Sequence, residues 1–186
     1  MSILPIYNCF HPILKQKTED VKDINSEIDT LIKNMFETMY KADGIGLAAN
    51  QVGINKSIIV IDTSVSKNRE KDKPIVLINP IIEAFSEEKV EYQEGCLSIP
   101  TFFEKVIRPD FIRVRFFDLN SKEHILEPDS LQSRVIQHEI DHLNGILFFE
   151  RLTQWRKTLA KTKLKKIQDG KIRPNYKMVL PDGTII

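Results

Sequence analysis

RVIQHEIDHLNG, residues 134–145, sets two histidines four positions apart with a glutamate directly after the first. At about 100 degrees of turn per residue, Leu131, Val135, His138 and His142 share one stripe of a helix, so both imidazoles project from an otherwise apolar face. Ile136, Ile140 and Leu143 make a second apolar side, while Arg134, Gln137 and Asp141 gather on the polar remainder. A helix apolar over so much of its circumference is expected at the centre of a fold. Glu139 falls between the histidine stripe and the Ile136/Leu143 side, where poor solvation raises a carboxyl pKa toward the range useful for proton transfer. Asp129 or Ser130 can cap the start of the helix, and Asn144-Gly145 supplies its stop.

Working outward, Val21, Ile24, Ile28, Leu31, Ile32, Met35, Phe36 and Met39 recur at helical spacing, and Asp43-Gly44 ends that pattern. Strand-like runs follow at 56–62 (KSIIVID), 75–80 (IVLINP) and 111–117 (FIRVRFF), the last alternating Ile112, Val114 and Phe116 with Arg113 and Arg115. SVSKNREKDKP, residues 64–74, reads as a solvated surface loop. A third helix is expected from near Thr153 to about Gln168, then a short tail, YKMVLPDGTII, with a turn at Pro181-Asp182-Gly183. Strands gathered between helices without regular alternation give an α+β class: small antiparallel or mixed sheets around a central helix bearing HEIDH, flanked by an N-terminal and a C-terminal helix. No repeat, low-complexity tract or linker interrupts residues 1–186, so one domain is expected.

The composition excludes several classes. With 41% apolar and 28% charged residues the chain has the balance of a globular protein rather than a disordered or membrane one. A net charge of +1 gives no global attraction to nucleic acid, and no sequence-specific nucleic-acid function is expected. MSILPIYNCFHPILKQK lacks the basic start and apolar stretch of a secretory signal, and no segment approaches bilayer length, so a cytoplasmic location without a membrane anchor is expected. Cys9 and Cys96 stand far apart in the sequence, which argues against a disulfide framework; Cys9 reads as a small buried residue.

A single histidine on an apolar face is ordinarily a hydrogen-bonded core residue. His138 and His142 at i and i+4 converge two ring nitrogens on one point with a base beside them, which is the geometry of half a metal site. A metal needs further ligands. Asp141 is the local alternative on the polar shoulder; His11 and His124 sit in loop or strand surface contexts; outside the helix the best candidate is Cys96 in EGCLSIP, residues 94–100. A third segment, GIGLAANQVG at 44–53, begins like a dinucleotide loop but follows a helix and leads into a strand, the reverse of that fingerprint. Its Gly and Ala suit a close-packed turn, while Gln51 can offer amide donors to an oxygen in a site.

GIGLAANQ, EGCLS and QHEIDH, in this order and at these separations, resemble the three signature motifs of the peptide deformylases, from the first helix through the third. The resemblance implies a hydrolase that removes the formyl group from the N-terminal formyl-methionine of nascent polypeptides and releases formate. It implies Cys96, His138 and His142 as ligands of one divalent metal, Fe(II) in cells and replaceable by Zn, Ni or Co. Water activated by that metal attacks the formyl carbon with Glu139 as general acid/base, while Gln51 and the Leu97 N–H stabilise the oxyanion. Gly46 is implied in backbone contacts to substrate, Ile45, Val135, Glu94 and Gly95 around the methionine side chain, and an Arg108–Asp141 pair in holding the helix. The family's best-known bacterial members carry an arginine near the substrate five positions before Arg108; Phe103 stands there in this chain. The third helix, with Arg156, Lys157, Lys161, Lys163, Lys165 and Lys166 opposite Leu152, Trp155, Leu159, Leu164 and Ile167, reads as packed and amphipathic; bacterial relatives dock on the ribosome through theirs. Two rival readings are an HExxH endopeptidase, separable by testing internal peptide bonds, and a noncatalytic module with a purely structural metal, which leaves Glu139 and Gln51 without a task.

Overall fold

The computed structural model describes residues 2–67, 69–128 and 130–186. In chain order it comprises β1 (Ile6–Tyr7), α1 (Ser26–Lys41), β2 (Gly46–Ala48), β3 (Ile58–Ile61), β4 (Ile75–Phe85), β5 (Lys89–Cys96), β6 (Ile99–Pro109), β7 (Ile112–Phe117), β8 (Glu123–Leu126), α2 (Ser130–Leu143), α3 (Gln154–Gln168) and β9 (Met178–Val179). The α+β class expected from the sequence is the observed one. A five-stranded antiparallel sheet runs β2-β3-β4-β7-β8, β5 and β6 form a separate hairpin, and β1 pairs with β9 in parallel.

Strand β3 explains why α2 lies at the centre. Its four residues, IIVI, are all buried, because the sheet is covered on both faces and a continuous apolar run satisfies both. Ile58 and Val60 meet Ile32, Met35 and Met39 of α1. Ile59 and Ile61 turn the other way, joining Leu77, Ile112, Val114 and Phe116 against Val135, Ile136, Ile140 and Leu143 of α2. Each of those α2 side chains contributes about 1.5–3 kcal/mol by leaving water. The hairpin β5–β6 reaches past α2 and packs Ile99, Phe102 and Val106 on Leu147, Phe148 and the Ala160, Leu164 and Ile167 stripe of α3; buried Cys9 joins this cluster. No helix among the described residues is long and apolar enough to cross a membrane.

Several sequence expectations change. The polar side assigned to α2 does not face water: Arg134, Gln137 and Asp141 are all buried, because the hairpin closes over that side and supplies their partners. Val21 and Ile24 precede α1 rather than opening it. Asn25 caps the helix, accepting from the Glu27 and Ile28 N–H groups, and the Asn79 side chain holds the Val21 backbone in an extended run. At the other end Asp43, not Gly44, takes the left-handed conformation, with φ 56°. The run at 75–80 continues as a strand to Phe85 through two register shifts against β7. On α3, capped by Thr153, Trp155 is 70% and Leu159 62% exposed, so neither belongs to the packed stripe. The cap suggested at Asp129 lies outside the described residues; Ser130 is the first helical residue. Gly145, with φ 73°, stops α2, and its Cβ position is filled by the Lys15 backbone, so only glycine fits there.

Candidate active site and metal centre

Three segments distant in the sequence meet at the face of α2 that carries His138 and His142. Gly46–Ala48 lies beside α2 as the edge strand β2, paired with Ile59–Ile61, and runs into a short 3-10 turn at Ala49–Val52. That turn is tied to the end of α2 by the Asn50 Nδ2, which donates to the His142 carbonyl at 2.6 Å. Within the turn the Gln51 Oε1 accepts from the Ala48 N–H at 2.8 Å. An acceptor is required there, so the amide's donor end points into the site, 3.5 Å from Cys96 Sγ and 3.2 Å from Ser98 Oγ. Cys96 ends β5, and the register pairs it with Ile99, which makes Leu97-Ser98 a two-residue hairpin turn.

Cys96 Sγ lies 3.1 Å from His142 Nε2, and ligand atoms of Cys96, His138 and His142 all fall within 4.8 Å of one another. This is the one such group among the described residues. Asp141, the local alternative from sequence, instead receives Arg108 Nη1 at 2.5 Å and Arg151. His11 caps a 3-10 turn through the Ile13 N–H, and His124 pairs with Asp118 on β8. His138 Nδ1 is 3.0 Å from Glu94 Oε2, which leaves its Nε2 free for the cluster, the arrangement common in metal-binding histidines. A thiolate sulfur and two imidazoles from a rigid helix and a hairpin turn fit a divalent ion with positions left for water and substrate.

Glu94 is the residue whose role the sequence hid. Sequence reading sets it beside the methionine slot, but its carboxylate turns into the protein, taking Arg108 through two bonds of 2.7 and 2.9 Å and Arg134 Nη1 at 2.8 Å. Burial works against the charge, yet the Arg108 guanidinium and His138 outweigh it and hold the Glu94 pKa far below the carboxylate range. Arg134 also donates to the Val106 and Val90 carbonyls and lies over the Tyr92 ring, 5.3 Å from its centroid. An arginine on the supposed polar side of a helix gave no hint of this; the buried hairpin wall did not exist at the level of one helix. Burial is also the first cause at His138, where it opposes the charge, but bonds to Cys96 and Glu94 leave the pKa raised. His142 is pushed down by burial and by its neighbour His138.

Glu139 is buried with Oε2 unpartnered, and burial pushes its pKa up to about 7. Gly46 stands against it: a Cβ there would lie 2.6 Å from Glu139 Oε1 and 2.7 Å from Val135 Cγ1. Gly46→Ala is therefore expected to displace the carboxylate and lower kcat/KM about 100-fold with secondary structure intact, a result read from steady-state kinetics beside circular dichroism. The group opens into a pocket of about 620 Å3 whose walls include Ile45, Gly46, Gly95, Leu131, Val135 and Phe103. A larger cleft, about 1030 Å3, lies on the other side of α2 and is lined by none of Cys96, His138 and Glu139, so the candidate site is the smaller one.

The family model described as polypeptide deformylase matches residues 3–158. The chain belongs to the polypeptide deformylase family. It is 44% identical over 166 residues to the peptide deformylase of Saccharophagus degradans, covering 89% of this chain and 94% of that one. Among solved structures, the peptide deformylase of Ehrlichia chaffeensis superimposes with a TM-score of 0.82 at 38% identity, over 91% of this chain and 99% of that chain. A plant peptide deformylase does so with 0.86 at 31%, over 95% and 97%. A second Ehrlichia chaffeensis structure, solved in complex with actinonin, gives 0.83 at 35%, over 93% and 100%.

Proposed function

We propose that the chain hydrolyses the formyl group from the N-terminal formyl-methionine of newly synthesised proteins, releasing formate and a free amine. The observation that carries this reading is the donor cluster Cys96, His138 and His142 with Glu139 beside it, in a pocket walled by glycine backbone. Cys96, His138 and His142 would hold one divalent ion, Fe(II) in cells, with Zn, Ni or Co as substitutes. When bound, the ion acts as a Lewis acid on water and on the formyl oxygen. Glu139, poised near neutrality by burial, takes a proton from the attacking water and returns it to the departing amine. The Gln51 amide and the Leu97 N–H face the oxygen that gains charge. A formyl carbon bears only hydrogen besides its oxygen and nitrogen, so close walls at Gly46 and Gly95 admit it and exclude larger acyl groups. Ile45, Leu131 and Val135 offer the apolar slot for the methionine side chain.

The test is formate release from formyl-Met-Ala-Ser by anaerobically purified protein, because a thiolate beside Fe(II) oxidises readily. Activity should vanish on chelation and return with added Fe(II), Ni(II) or Zn(II). A folded, metal-loaded protein that releases no formate, or that cuts internal peptide bonds, would overturn the reading.

Exposed Trp155 and Leu159 on the same helix as exposed Lys161 and Lys166 favour docking of α3 on the ribosome, and a cytoplasmic location belongs with it. Reversing Lys157, Lys161 and Lys166 together to glutamate is expected to abolish salt-sensitive cosedimentation with ribosomes and to spare turnover of small formyl peptides. Undiminished cosedimentation would rule the docking out.

A further inference from the structure

The segment after α3 was expected to be a plain tail, yet it forms part of the site's rim. Gly170, with φ 67°, turns the chain out of α3, and Met178 and Val179 pair in parallel with Ile6 and Tyr7. Between those two fixed points Arg173, Pro174, Asn175 and Tyr176 line the pocket that holds Cys96 and Glu139. Tyr176 anchors the crossing: its hydroxyl donates to the Leu97 carbonyl at 2.6 Å, on the hairpin turn next to Cys96. The Asn8 Nδ2 donates to the Ile167 carbonyl at 3.0 Å and secures the end of α3 from which the tail departs.

The other charges in this pocket are engaged or distinct. Glu94 and Arg134 are bonded to each other at 2.8 Å, and Glu139 is buried. Two exposed charges remain, Asp43 beyond α1 and Arg173 on the tail. Arg173 makes no ion pair or hydrogen bond among the described residues. Phe103, 60% exposed on the same rim, has its ring where a Cβ on Gly95 would be and supplies an apolar wall without charge. A formyl peptide whose first residue is seated at Cys96 and Glu139 must lead its following residues out over this rim. A guanidinium waiting there offers a planar two-donor fork that matches a carboxylate.

Resting on the deformylase reading, we propose that Arg173 is a specificity-determining residue that takes the carboxylate of an acidic side chain among the residues following the formyl-methionine. Asp43 favours the opposite sign from the α1 side, so the preference depends on which position carries the charge.

The experiment compares kcat/KM for formyl-Met-Asp-Ser and formyl-Met-Ala-Asp with their lysine counterparts, for the wild type, Arg173→Glu and Asp43→Asn. In the wild type, at one of the two positions, the acidic peptide should lead the lysine peptide by about two- to fivefold at low salt, the range of a rim ion pair. The difference should lie in KM and disappear in about 0.5 M salt, where such pairs are screened. Arg173→Glu should reverse that ratio, and Asp43→Asn should shift ratios toward acid. Circular dichroism of Arg173→Glu should match the wild type, since the exposed side chain makes no ion pair or hydrogen bond among the described residues. An acid-to-lysine ratio unchanged in Arg173→Glu at both positions, with the wild type turning over all four peptides, overturns this proposal alone. A wild type that releases formate from none of them removes the deformylase reading, and the proposal with it.

Discussion

Glu139→Gln should lower kcat for formate release by about 10²- to 10⁴-fold while making the protein more stable. The loss of rate follows from the role proposed for the carboxylate: glutamine keeps the shape but can neither accept the proton of water nor deliver it to the amine. The gain in stability follows from the environment. Glu139 is buried, with one oxygen lacking any hydrogen-bond partner, and burial pushes its pKa up from the ordinary 4.5 to about 7. A carboxyl group with a folded pKa above its unfolded one supports the fold fully below about pH 4.5, and that support is lost as pH rises through about 7. At pH 8 the metal-free wild type therefore carries an unsatisfied buried charge that the glutamine variant lacks, worth about 1–3 kcal/mol. Thermal melts of both metal-free proteins at pH 5 and pH 8 read this directly, with the gain larger at pH 8. In the metal-loaded protein the neighbouring cation favours the carboxylate, so the acid limb of kcat/KM should fall below pH 7. A variant that lost activity and stability together at pH 8 would make Glu139 a structural residue.

The sequence carried the site further than it carried the walls around it. His138 and His142 share a face because helical spacing puts them there, and the apolar sides of α2 correctly place it at the centre. The link from His142 to Cys96 was not legible from spacing. It depends on the Leu97-Ser98 turn, and a two-residue hairpin between such long strands leaves only a weak local trace. Gln51 was legible as a donor, but the fixed direction of its amide comes from the Ala48 N–H. Periodicity alone set Arg134 and Asp141 on a polar side, because helical spacing reports polarity and a buried ion-pair network looks like a solvated face until its partners are known; the Arg108–Asp141 pair implied by the family resemblance is present at 2.5 Å. Trp155 and Leu159 show the converse, apolar residues at helical spacing left outside because the hairpin meets only the Leu164 side of α3. The tail carried no hydrophobic pattern strong enough to mark β9, which exists because β1 offers it an edge.

Arg108→Met is expected to cost about 3–5 kcal/mol, the usual effect of stripping one partner from a buried ion pair. Arg108 joins β6 to α2 by bonding Glu94 and Asp141 at once, and the substitution leaves two buried carboxylates short of a counterion. Arg134 and Arg151 still reach those acids, which should keep the fold marginally intact. Its consequence for function runs through Glu94. That carboxylate orients His138 through Nδ1, so a Glu94 free to move should weaken metal retention by about 10- to 100-fold, measured as the rate of Zn(II) loss to a chelator. The pH dependence separates this network from ordinary packing. Arg108 and His138 hold the Glu94 pKa far below its ordinary 4.5 against the effect of burial. Its contribution is therefore complete above about pH 4.5 and is lost as pH falls from there toward the folded value. The wild type should lose stability steeply below pH 4.5, and Glu94→Gln, less stable at pH 7, should flatten that limb. Equal acid limbs in the two proteins would mean that Arg108 acts by packing its stem, and that His138 is aimed by the helix alone.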